Sequence, residues 1–595
     1  MKFRLALFGI LALACRPPVA PRATPAPGAT DVGVPRTRAC GVETPAGHHA
    51  ATFPDSWPYQ SGCAGVFGAH AMVASDAPLA SQAGIEVMKR GGNAVDAAVA
   101  VGFALAVAYP EAGNLGGGGY MVIHLADGRN AALDYREVAP LAATRDMYLD
   151  STGKLTDGSI VGPLASGVPG AVAGLTEALA RYGTMTLAQV MEPAIRYAEQ
   201  GVVVDTSLAR SLRSNRELIA AFSGASQFLP NGVPPAIGTT IRQPALARTL
   251  HAIAERGRSA FYEGDIARAW TTELKTAGGI ITMDDLARYR PMWREPIRST
   301  YRGYTLFTMP PSSSGGVTIT ETLNILEGYD SLPPFGSTMW AHLLGSAYQR
   351  AFIDRNAKLA DPAFVQVPVA QLTDKGYAAK LRATIGLGRA TPTATIGGGI
   401  SEGMETTHYS VVDERGNAVA TTTTLNNLYG SGVYLTSAGF FLNDEMDDFA
   451  AQPGTPNMFG LVQGEANAIQ PGKRMLSAMS PTVVLDRDGS LLLVAGSRGG
   501  PRIITSTSQV ILNVLDYGMT LADAMSAPRL HHQALPDSLQ IERNGVTPAV
   551  ADSLRAMGYG VSTTHGIGLV NAVMRVTGGY EGVSDPRSSG RPVGY

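Results

Sequence analysis

The sequence predicts a mixed α/β fold built as one large unit, and three observations support this prediction. Helical and strand-like hydrophobic patterns alternate along most of the chain, no linker-like segment separates them after residue 65, and β-branched strands with Gly, Asn and Asp turns dominate from residue 406 onward. A length of 595 residues alone suggests roughly four domains at ~150 residues each. The unbroken alternation favours a single intertwined unit instead.

The individual elements follow from their periodicity. Amphipathic or apolar spacing predicts helices over 79–89, 94–109, 187–200, 243–256 and 338–360. The run 94–109 carries Asp96 and is shorter than the ~20 apolar residues that span a bilayer, so it is interpreted as a buried helix. Alternating or β-branched runs predict strands over 120–125, 408–412, 418–424, 482–485 and 490–495.

Composition narrows the functional classes. The chain has 47 Lys and Arg against 49 Asp and Glu, a net charge of −2, which argues against nucleic acid and against a basic membrane-binding surface. There is no nucleophile-elbow serine motif, no His-Glu-x-x-His zinc helix and no phosphate-binding P-loop. No metal or cofactor is therefore expected. Glycine is abundant, with 69 residues, and clusters at 113–119, 397–399 and 499–500.

The amino terminus predicts export. Lys2 and Arg4 precede an apolar run that ends at Cys15, as in a signal or lipoprotein leader over 1–15. Lipidation of Cys15, which would leave a membrane anchor, and cleavage at a nearby Ala, which would leave the protein in the periplasm, both stay open. Residues 16–65 are interpreted as a flexible tether and N-terminal extension. Cys40 and Cys63 are able to pair in an oxidising compartment.

A threonine-rich hairpin is the strongest local signal for chemistry. If residues 413–417 form its loop, Val412 lies opposite Ala418 and Thr406 lies opposite Thr424, on the same face. A threonine hydroxyl needs a base, and a free α-amine of pKa ~7.7–8.0 is able to serve as one. Thr406 would gain that amine by cleavage of the Glu405–Thr406 bond. Taken alone, the hairpin is better explained as a structural, threonine-rich strand.

Several long motifs in one order remove that ambiguity. From about residue 72 to the end, the chain resembles the γ-glutamyltransferase family (γ-glutamyl transpeptidase or glutathione hydrolase), whose members are N-terminal nucleophile hydrolases. The motifs that carry the resemblance are Gly-Gly-Asn-Ala-Val-Asp-Ala-Ala at 91–98, the glycine run 113–119, Asp-Tyr-Arg-Glu-Val-Ala-Pro at 134–140, Met-Pro-Pro-Ser-Ser-Ser-Gly-Gly at 309–316, Thr-Thr-His-Tyr-Ser at 406–410, Asn-Asp-Glu-Met-Asp-Asp-Phe at 443–449 and Ser-Asp-Pro-Arg at 584–587.

The resemblance implies a fold, an activity and a partner relationship. The fold is a four-layer αββα sandwich formed jointly by a large subunit, 66–405, and a small subunit, 406–595, which make a heterodimer after self-cleavage between Glu405 and Thr406. Thr406 would then take the γ-glutamyl group from glutathione or a related compound. Water would complete hydrolysis, and an amino acid or dipeptide would complete transpeptidation.

The resemblance also assigns a role to each site residue. Thr424 would hydrogen-bond the nucleophile, and Gly499 and Gly500 would donate backbone N–H groups to the oxyanion. The residues implied to bind the γ-glutamyl head group are Arg136 for the α-carboxylate, Glu445 and Asp448 for the α-ammonium, and Asn426, Ser477 and Ala478 for further hydrogen bonds.

Two departures from the family pattern stand out. Ala478 replaces the second serine of a Ser-Ser pair, which removes one possible bond of ~1 kcal/mol. The stretch 453–474 resembles a lid, but Phe459 replaces the tyrosine often found there and so cannot bond Asn426 through a phenol. Glu445 stands where some bacterial members have Gln.

Two other functions compete with the leading one. A cephalosporin (glutaryl) acylase shares the nucleophile and the fold, but a glutaryl group has no ammonium for Glu445 and Asp448 to pair with. A catalytically silent binding protein on the same scaffold is the other alternative, and the intact Thr406, Thr424 and Gly499–500 argue against it.

Overall fold

Two seven-stranded sheets lie face to face in the computed structural model, which describes residues 48–60, 65–222, 224–395, 406–458 and 460–595. The strands, in chain order, are β1 Val66–Gly68, β2 Met72–Ser75, β3 Gly118–His124, β4 Asn130–Tyr135, β5 Val202–Val203, β6 Thr240–Ile241, β7 Met292–Arg294, β8 Ile297–Tyr301, β9 Tyr304–Thr308, β10 Thr407–Val412, β11 Ala418–Thr424, β12 Tyr434–Leu435, β13 Phe440–Phe441, β14 Thr482–Leu485, β15 Leu491–Arg498, β16 Leu530–His531, β17 Leu539–Glu542, β18 Val561–Thr564, β19 Leu569–Val576, β20 Gly579–Ser584 and β21 Val593–Gly594.

Sheet I has the strand order β21-β2-β10-β11-β3-β4-β7, and sheet II has the order β1-β20-β19-β15-β14-β9-β8. In sheet I, β10 and β11 from the predicted small subunit lie between β2 and β3 from the predicted large subunit. The two segments of the chain therefore share one hydrogen-bonded sheet. This interleaving explains why the sequence has no linker-like boundary.

Helices cover the outer face of each sheet. They are α1 Pro78–Lys89, α2 Ala94–Ala108, α3 Ala171–Tyr182, α4 Leu187–Gln200, α5 Thr206–Ser214, α6 Arg216–Ala221, α7 Pro244–Arg256, α8 Arg258–Tyr262, α9 Asp265–Thr276, α10 Met283–Arg288, α11 Gly315–Glu327, α12 Thr338–Lys358, α13 Val369–Leu372, α14 Lys375–Ala383, α15 Arg502–Leu515, α16 Leu521–Ser526 and α17 Pro548–Ala556.

Side-chain alternation along the central strands separates the layers. Ala418 and Ala420 of β11 pack between the two sheets, whereas Val419 packs against the helices that cover sheet I. In β15, Val494 faces the space between the sheets and Leu493 faces the helices of sheet II. Since successive residues of a strand point to opposite faces, each central strand serves two apolar layers. The result is the αββα sandwich that the resemblance implied, so that prediction is confirmed.

The predicted elements match the observed ones closely where periodicity was strong. The buried helix predicted over 94–109 is α2, and its Asp96 is accounted for by a capping box with Asn93. The Asp96 carboxylate also accepts the backbone N–H groups of Thr184 and Met185. A buried acid at a helix N-terminus thus satisfies donors that otherwise lack partners. No helix in the described part of the chain is long and apolar enough to cross a bilayer.

Part of the predicted tether and extension, residues 48–60, packs on the molecule. Phe53 and Trp57 are buried, and the Trp57 indole N–H donates to the Ser526 carbonyl at 2.9 Å. The Ala51 N–H donates to the Asp523 carboxylate at 3.0 Å. Two buried aromatic side chains explain why this segment is ordered. The predictions for Cys15, Cys40, Cys63, Glu405, Phe459 and the glycines at 397–399 lie outside the described residues.

Candidate active site

A cleft of about 310 Å³ opens where β10 begins and β11 ends. It brings together nearly all the residues that the resemblance assigned to the site, although they lie far apart in the sequence. The lining residues are Arg136, Arg355, Thr406, Thr424, Asn426, Glu445, Asp448, Leu461, Ser477, Ala478, Met479, Gly500, Pro501 and Ile503. Gly499 lines a neighbouring cavity instead, and Arg355 was not among the predicted site residues.

The two threonines meet as the hairpin register predicted. Val412 pairs with Ala418 and Thr407 pairs with Thr423, which extends to Thr406 opposite Thr424. The Thr424 Oγ1 lies 3.5 Å from the Thr406 Oγ1, longer than an ordinary O–H···O bond. Thr424 Oγ1 also accepts the Asn426 N–H at 2.7 Å, which directs its own proton away from that donor. The Thr424 hydroxyl is thereby oriented to donate to Thr406.

The glycine run before β3 holds the end of β11 in place. The Asn114 side chain donates to the Thr424 carbonyl at 2.8 Å and accepts the Gly117 N–H at 2.8 Å. A Cβ at Gly117 would lie 2.0 Å from that same carbonyl, and a Cβ at Gly119 would lie 2.4 Å from the Thr422 carbonyl. Only glycine allows this approach of two backbones. The motif therefore fixes the position of Thr424.

Gly499 and Gly500 form the turn between β15 and α15. Both have positive φ values, 128° and 53°, which disfavour other residue types. Their carbonyls accept the N–H groups of Arg502 and Ile503, so the turn leads directly into the first turn of α15. The N-terminus of a 14-residue helix carries a partial positive charge. Gly500, on the cleft side, therefore stands where developing negative charge is stabilised.

Arg136 is the centre of a buried charge cluster. Its side chain is about 1 % exposed, and its guanidinium forms ion pairs with Glu445 and Asp448. Glu137 lies 3.5 Å from the same guanidinium, and the Arg136 Nε donates to the Met475 carbonyl at 3.4 Å. One cation thus faces three carboxyl groups. This surplus of acid over Arg136 suits a site that takes up a further cation, such as an ammonium.

The protonation of these acids is set by burial. Burial raises the pKa of Glu445 well above its usual range, against the opposing effect of Arg136. Burial likewise raises the pKa of Asp448, and the guanidinium groups of Arg136 and Arg355 partly offset that effect. Burial also raises the pKa of Glu137 to about 7. Burial thus opposes ionisation of these acids, and a bound cation would favour it.

Local structure aims the two head-group acids. They lie on a single 3-10 turn, Glu445–Asp448, which begins two residues after Asn443. The Asn443 amide accepts the Glu445 N–H at 3.0 Å and donates to the Gly116 and Gly167 carbonyls. The Asn467 amide donates to the Asp448 carbonyl at 2.6 Å. This acidic turn is thus buried and held at both ends by asparagine side chains.

The opposite wall is the segment around Ser477 and Ala478, held by the serine-rich motif before α11. Ser314 donates from both its N–H and its hydroxyl to the Ser477 carbonyl. The Ser313 hydroxyl donates to the Met479 carbonyl at 2.5 Å. Ser477 Oγ accepts the Met479 N–H at 3.1 Å. Ala478 lines the cleft, so its missing hydroxyl leaves a methyl group facing this space.

The mouth of the cleft meets the segment predicted to be a lid. Asn426 has a positive φ of 76°, and its amide donates to the Asp444 carbonyl at 3.1 Å and lies 3.7 Å from the Met458 sulfur. The Met458 N–H donates to the Asp447 carboxylate at 2.9 Å. Met458, adjacent to Phe459 in the sequence, therefore contacts the asparagine for which a phenolic bond was ruled out.

Comparison with known proteins shows which class of protein has this geometry. A four-layer αββα sandwich with a threonine at the start of an inner strand, beside a pocket of paired charges, defines an N-terminal nucleophile hydrolase. The family model for gamma-glutamyltranspeptidase matches residues 80–595, and the chain belongs to that family.

Relatives agree with the family assignment. The glutathione hydrolase proenzyme of Escherichia coli K12 is 46 % identical over 87 % of this chain and 90 % of that protein. The acylase ACY 1 proenzyme of Pseudomonas sp. SE83 is 42 % identical over 88 % of this chain and 94 % of that protein. A crystal structure of cephalosporin acylase from Bacillus halodurans superposes with a TM-score of 0.79 at 28 % identity, covering 91 % of this chain and 99 % of that one.

Proposed function

We propose that this protein is a self-processing γ-glutamyl hydrolase and transpeptidase. The observation that carries the proposal is the pairing, in one cleft, of a threonine dyad with a head-group site that contains both guanidinium and carboxylate groups. Cleavage of the Glu405–Thr406 bond gives a small chain that begins at Thr406 and a large chain that ends at Glu405. The two chains remain together as a heterodimer because their strands alternate in sheet I.

The α-amine freed by cleavage activates the Thr406 hydroxyl. It takes the hydroxyl proton as Thr406 Oγ1 attacks the γ-carbonyl carbon, and the oxyanion faces the Gly500 end of α15. Collapse of the tetrahedral intermediate expels the amine of the leaving peptide, which takes up that proton, and leaves a γ-glutamyl ester on Thr406. Attack by water releases glutamate, and attack by the amine of an amino acid or dipeptide forms a new γ-glutamyl amide.

The charged residues of the cleft select the γ-glutamyl donor. A planar guanidinium such as that of Arg136 is able to bind a carboxylate through two parallel N–H groups. Glu445 and Asp448 offer carboxylate oxygens to the α-ammonium, with Asn426, Ser477 and the backbone at Ala478 as further hydrogen-bonding groups. The substrate class is therefore glutathione and other γ-glutamyl amides.

Thr406→Ala tests the proposal. The variant lacks the hydroxyl that cleaves the chain, so it is expected to remain a single chain on denaturing electrophoresis. Without the hydroxyl and the α-amine that cleavage frees, it is also expected to lack turnover of a chromogenic γ-glutamyl anilide. Thr407→Val is the matched control, since the Thr407 hydroxyl bonds the Asp76 carboxylate at 2.8 Å and does not line the cleft. A Thr406→Ala protein that splits into two chains or cleaves the anilide refutes the assignment of the nucleophile.

Acylase activity is the second candidate function. Support for it comes from the relative named as an acylase at 42 % identity and from the superposition with a cephalosporin acylase. The buried Glu445 and Asp448 favour the γ-glutamyl donor, because a glutaryl group brings no ammonium to them. The ratio of kcat/KM for γ-glutamyl and glutaryl anilides decides between the two, and a ratio below one would favour the acylase.

We also propose that the protein is exported to the periplasm, where it carries either a lipid anchor at Cys15 or an amino terminus formed by cleavage at a nearby Ala. This proposal rests on the leader-like residues 1–15 alone. Mass spectrometry of the amino-terminal fragment from cells that express the full chain tests it. A diacylglyceryl-modified Cys15 supports the anchor, cleavage at a nearby Ala supports a periplasmic protein, and an intact Met1 in the cytoplasmic fraction refutes export.

A further inference from the structure

We propose that Arg355 is a specificity-determining residue of the cleft, forming with Arg136 a two-guanidinium site for the α-carboxylate of the γ-glutamyl donor. This inference rests on the proposed function and assigns a role to a residue that the sequence motifs did not single out.

Arg355 occupies the last turn of α12 and lines the cleft, with about 1 % of its surface exposed. Its Nε donates to the Ser314 hydroxyl at 3.0 Å and its Nη1 donates to the Asn356 side-chain oxygen at 2.9 Å. Both acceptors are neutral. Within the described part of the chain, no carboxylate oxygen lies within 4.0 Å of this guanidinium.

Among the described residues, Arg136 has close carboxylate partners, and Arg355 does not. Arg136 is already compensated by Glu445 and Asp448, with Glu137 close by. An isolated buried charge costs several kcal/mol unless a counter-ion is present. A cationic side chain on a cleft wall with only neutral acceptors is therefore stabilised when a ligand carboxylate arrives.

The charge of Arg355 is permanent at physiological pH. Burial lowers its pKa to about 10, against the opposing effect of Asp448. The guanidinium therefore remains protonated near neutrality. The cleft is lined by two guanidinium groups, those of Arg136 and Arg355, and by the carboxyl groups of Glu445 and Asp448. A bound α-carboxylate therefore meets the guanidinium groups, and a bound α-ammonium meets the carboxyl groups.

The position of Arg355 is fixed relative to the wall that the substrate touches. Ser314, which accepts from the Arg355 Nε, donates its own hydroxyl and N–H to the Ser477 carbonyl. The guanidinium, Ser477 and Ala478 are thereby held as one rigid surface. Such a prearranged charged donor limits the ordering cost of binding a carboxylate.

Three inhibitors that share the γ-carboxylate and differ in their head-group charges separate this role from others. L-Glutamate has both the α-carboxylate and the α-ammonium, glutarate keeps the carboxylate alone, and 4-aminobutyrate keeps the ammonium alone. None has the glycine carboxylate of glutathione, which is the other anionic group of that substrate. The inhibition constants of the three compounds against γ-glutamyl anilide turnover, and the KM of glutathione, are measured for the wild type, Arg355→Gln and Arg355→Lys.

For Arg355→Gln we expect the KM of the anilide and the inhibition constants of glutamate and glutarate to rise about 10- to 100-fold, with kcat changed less than about threefold. The inhibition constant of 4-aminobutyrate is expected to stay within about twofold, and Arg355→Lys should recover part of the loss. Lys358→Gln, on the same helix but outside the cleft, is the control and should match the wild type.

Each other outcome is also informative. Equal losses for 4-aminobutyrate and glutarate overturn the inference, because Arg355 would then act through the fold or through Asp448. Unchanged glutamate and glutarate constants, with a loss confined to glutathione, assign Arg355 to the glycine carboxylate and also overturn it. If Arg355→Gln fails to process, Arg355→Lys supplies the comparison. A wild type without turnover of any γ-glutamyl anilide refutes the proposed function itself, whatever Arg355 does.

Discussion

The two halves of the cleft are built on different principles. The nucleophile half, formed by Thr406, Thr424 and Gly500, contains hydroxyl and backbone groups and no charged side chain. The head-group half contains the buried side chains of Arg136, Arg355, Glu445 and Asp448.

The difference teaches which forces position each half. Strand register and close glycine contacts locate the threonines, so their geometry is a property of the backbone. The charged side chains come from three separate segments, because Glu445 and Asp448 share one turn, and they are held by buried ion pairs and by hydrogen bonds to neighbouring loops. We therefore expect changes in the nucleophile half to act on kcat, and changes in the head-group half to act on KM.

Among the substitutions that compare the two halves, Asp448→Asn is expected to have the largest effect on kcat/KM. Removing one partner of a buried ion pair typically costs about 3–5 kcal/mol. A loss of that size corresponds to roughly 10²- to 5 × 10³-fold in kcat/KM, carried mainly by KM, since the α-ammonium loses its acceptor while Thr406 is untouched. Steady-state kinetics with the γ-glutamyl anilide measure it. An equal fall in kcat at unchanged KM would break the division of labour between the halves.

Thr424→Ala tests the nucleophile half and should cost somewhat less. Loss of the hydroxyl that faces Thr406 is expected to lower kcat about 100-fold with KM nearly unchanged. Thr424→Ser should retain most of the rate. Thr423→Val is the control, because its hydroxyl donates to the Gly118 carbonyl at 2.7 Å and does not line the cleft. A raised KM in Thr424→Ala would contradict the expected separation.

The pH dependences of kcat and KM should also differ between the two halves, with smaller effects than the substitutions. The Thr406 amine acts as a base only when unprotonated, so kcat should rise through about pH 7.7–8.0 and then level off. In the head-group half, burial raises the pKa of Glu445 and Asp448, and both must ionise to receive the ammonium. KM should therefore fall with rising pH, at pH values above the usual carboxyl range of about 4.

Separate pH profiles of kcat and KM measure this prediction. Glu445→Gln removes one of the two titrating acids without removing its bulk, so the slope of KM against pH should become shallower while the kcat profile stays in place. If KM is independent of pH in the wild type, or if Glu445→Gln moves the inflection in kcat, the two halves do not titrate independently.

The sequence predicted the nucleophile half more completely than the head-group half. Hairpin register depends only on loop length and alternation, so Thr406 and Thr424 could be paired from the residues themselves. The burial of Glu445 and Asp448 depends on contacts from Asn443 and on packing, which local composition does not report.

Arg355 illustrates the limit most clearly. It lies within a long helix whose periodicity only marks a buried face, and a buried arginine at such a position is indistinguishable from a structural one. Its place on the cleft wall follows from how α12 packs against the Ser314–Ser477 contact, which is a tertiary arrangement. The helices and strands were predictable because alternation and helical spacing are local features of the sequence. The αββα arrangement of those elements was predicted from the family motifs.

The most direct test of the account is intact-mass measurement of the denatured protein before and after brief mixing with a γ-glutamyl anilide. We predict two chains, the smaller covering residues 406–595 with Thr406 first, and a transient increase in its mass by one γ-glutamyl group, located at Thr406 by fragmentation. An unbroken chain that turns over the anilide, or a γ-glutamyl label on any other residue, would contradict the central claim.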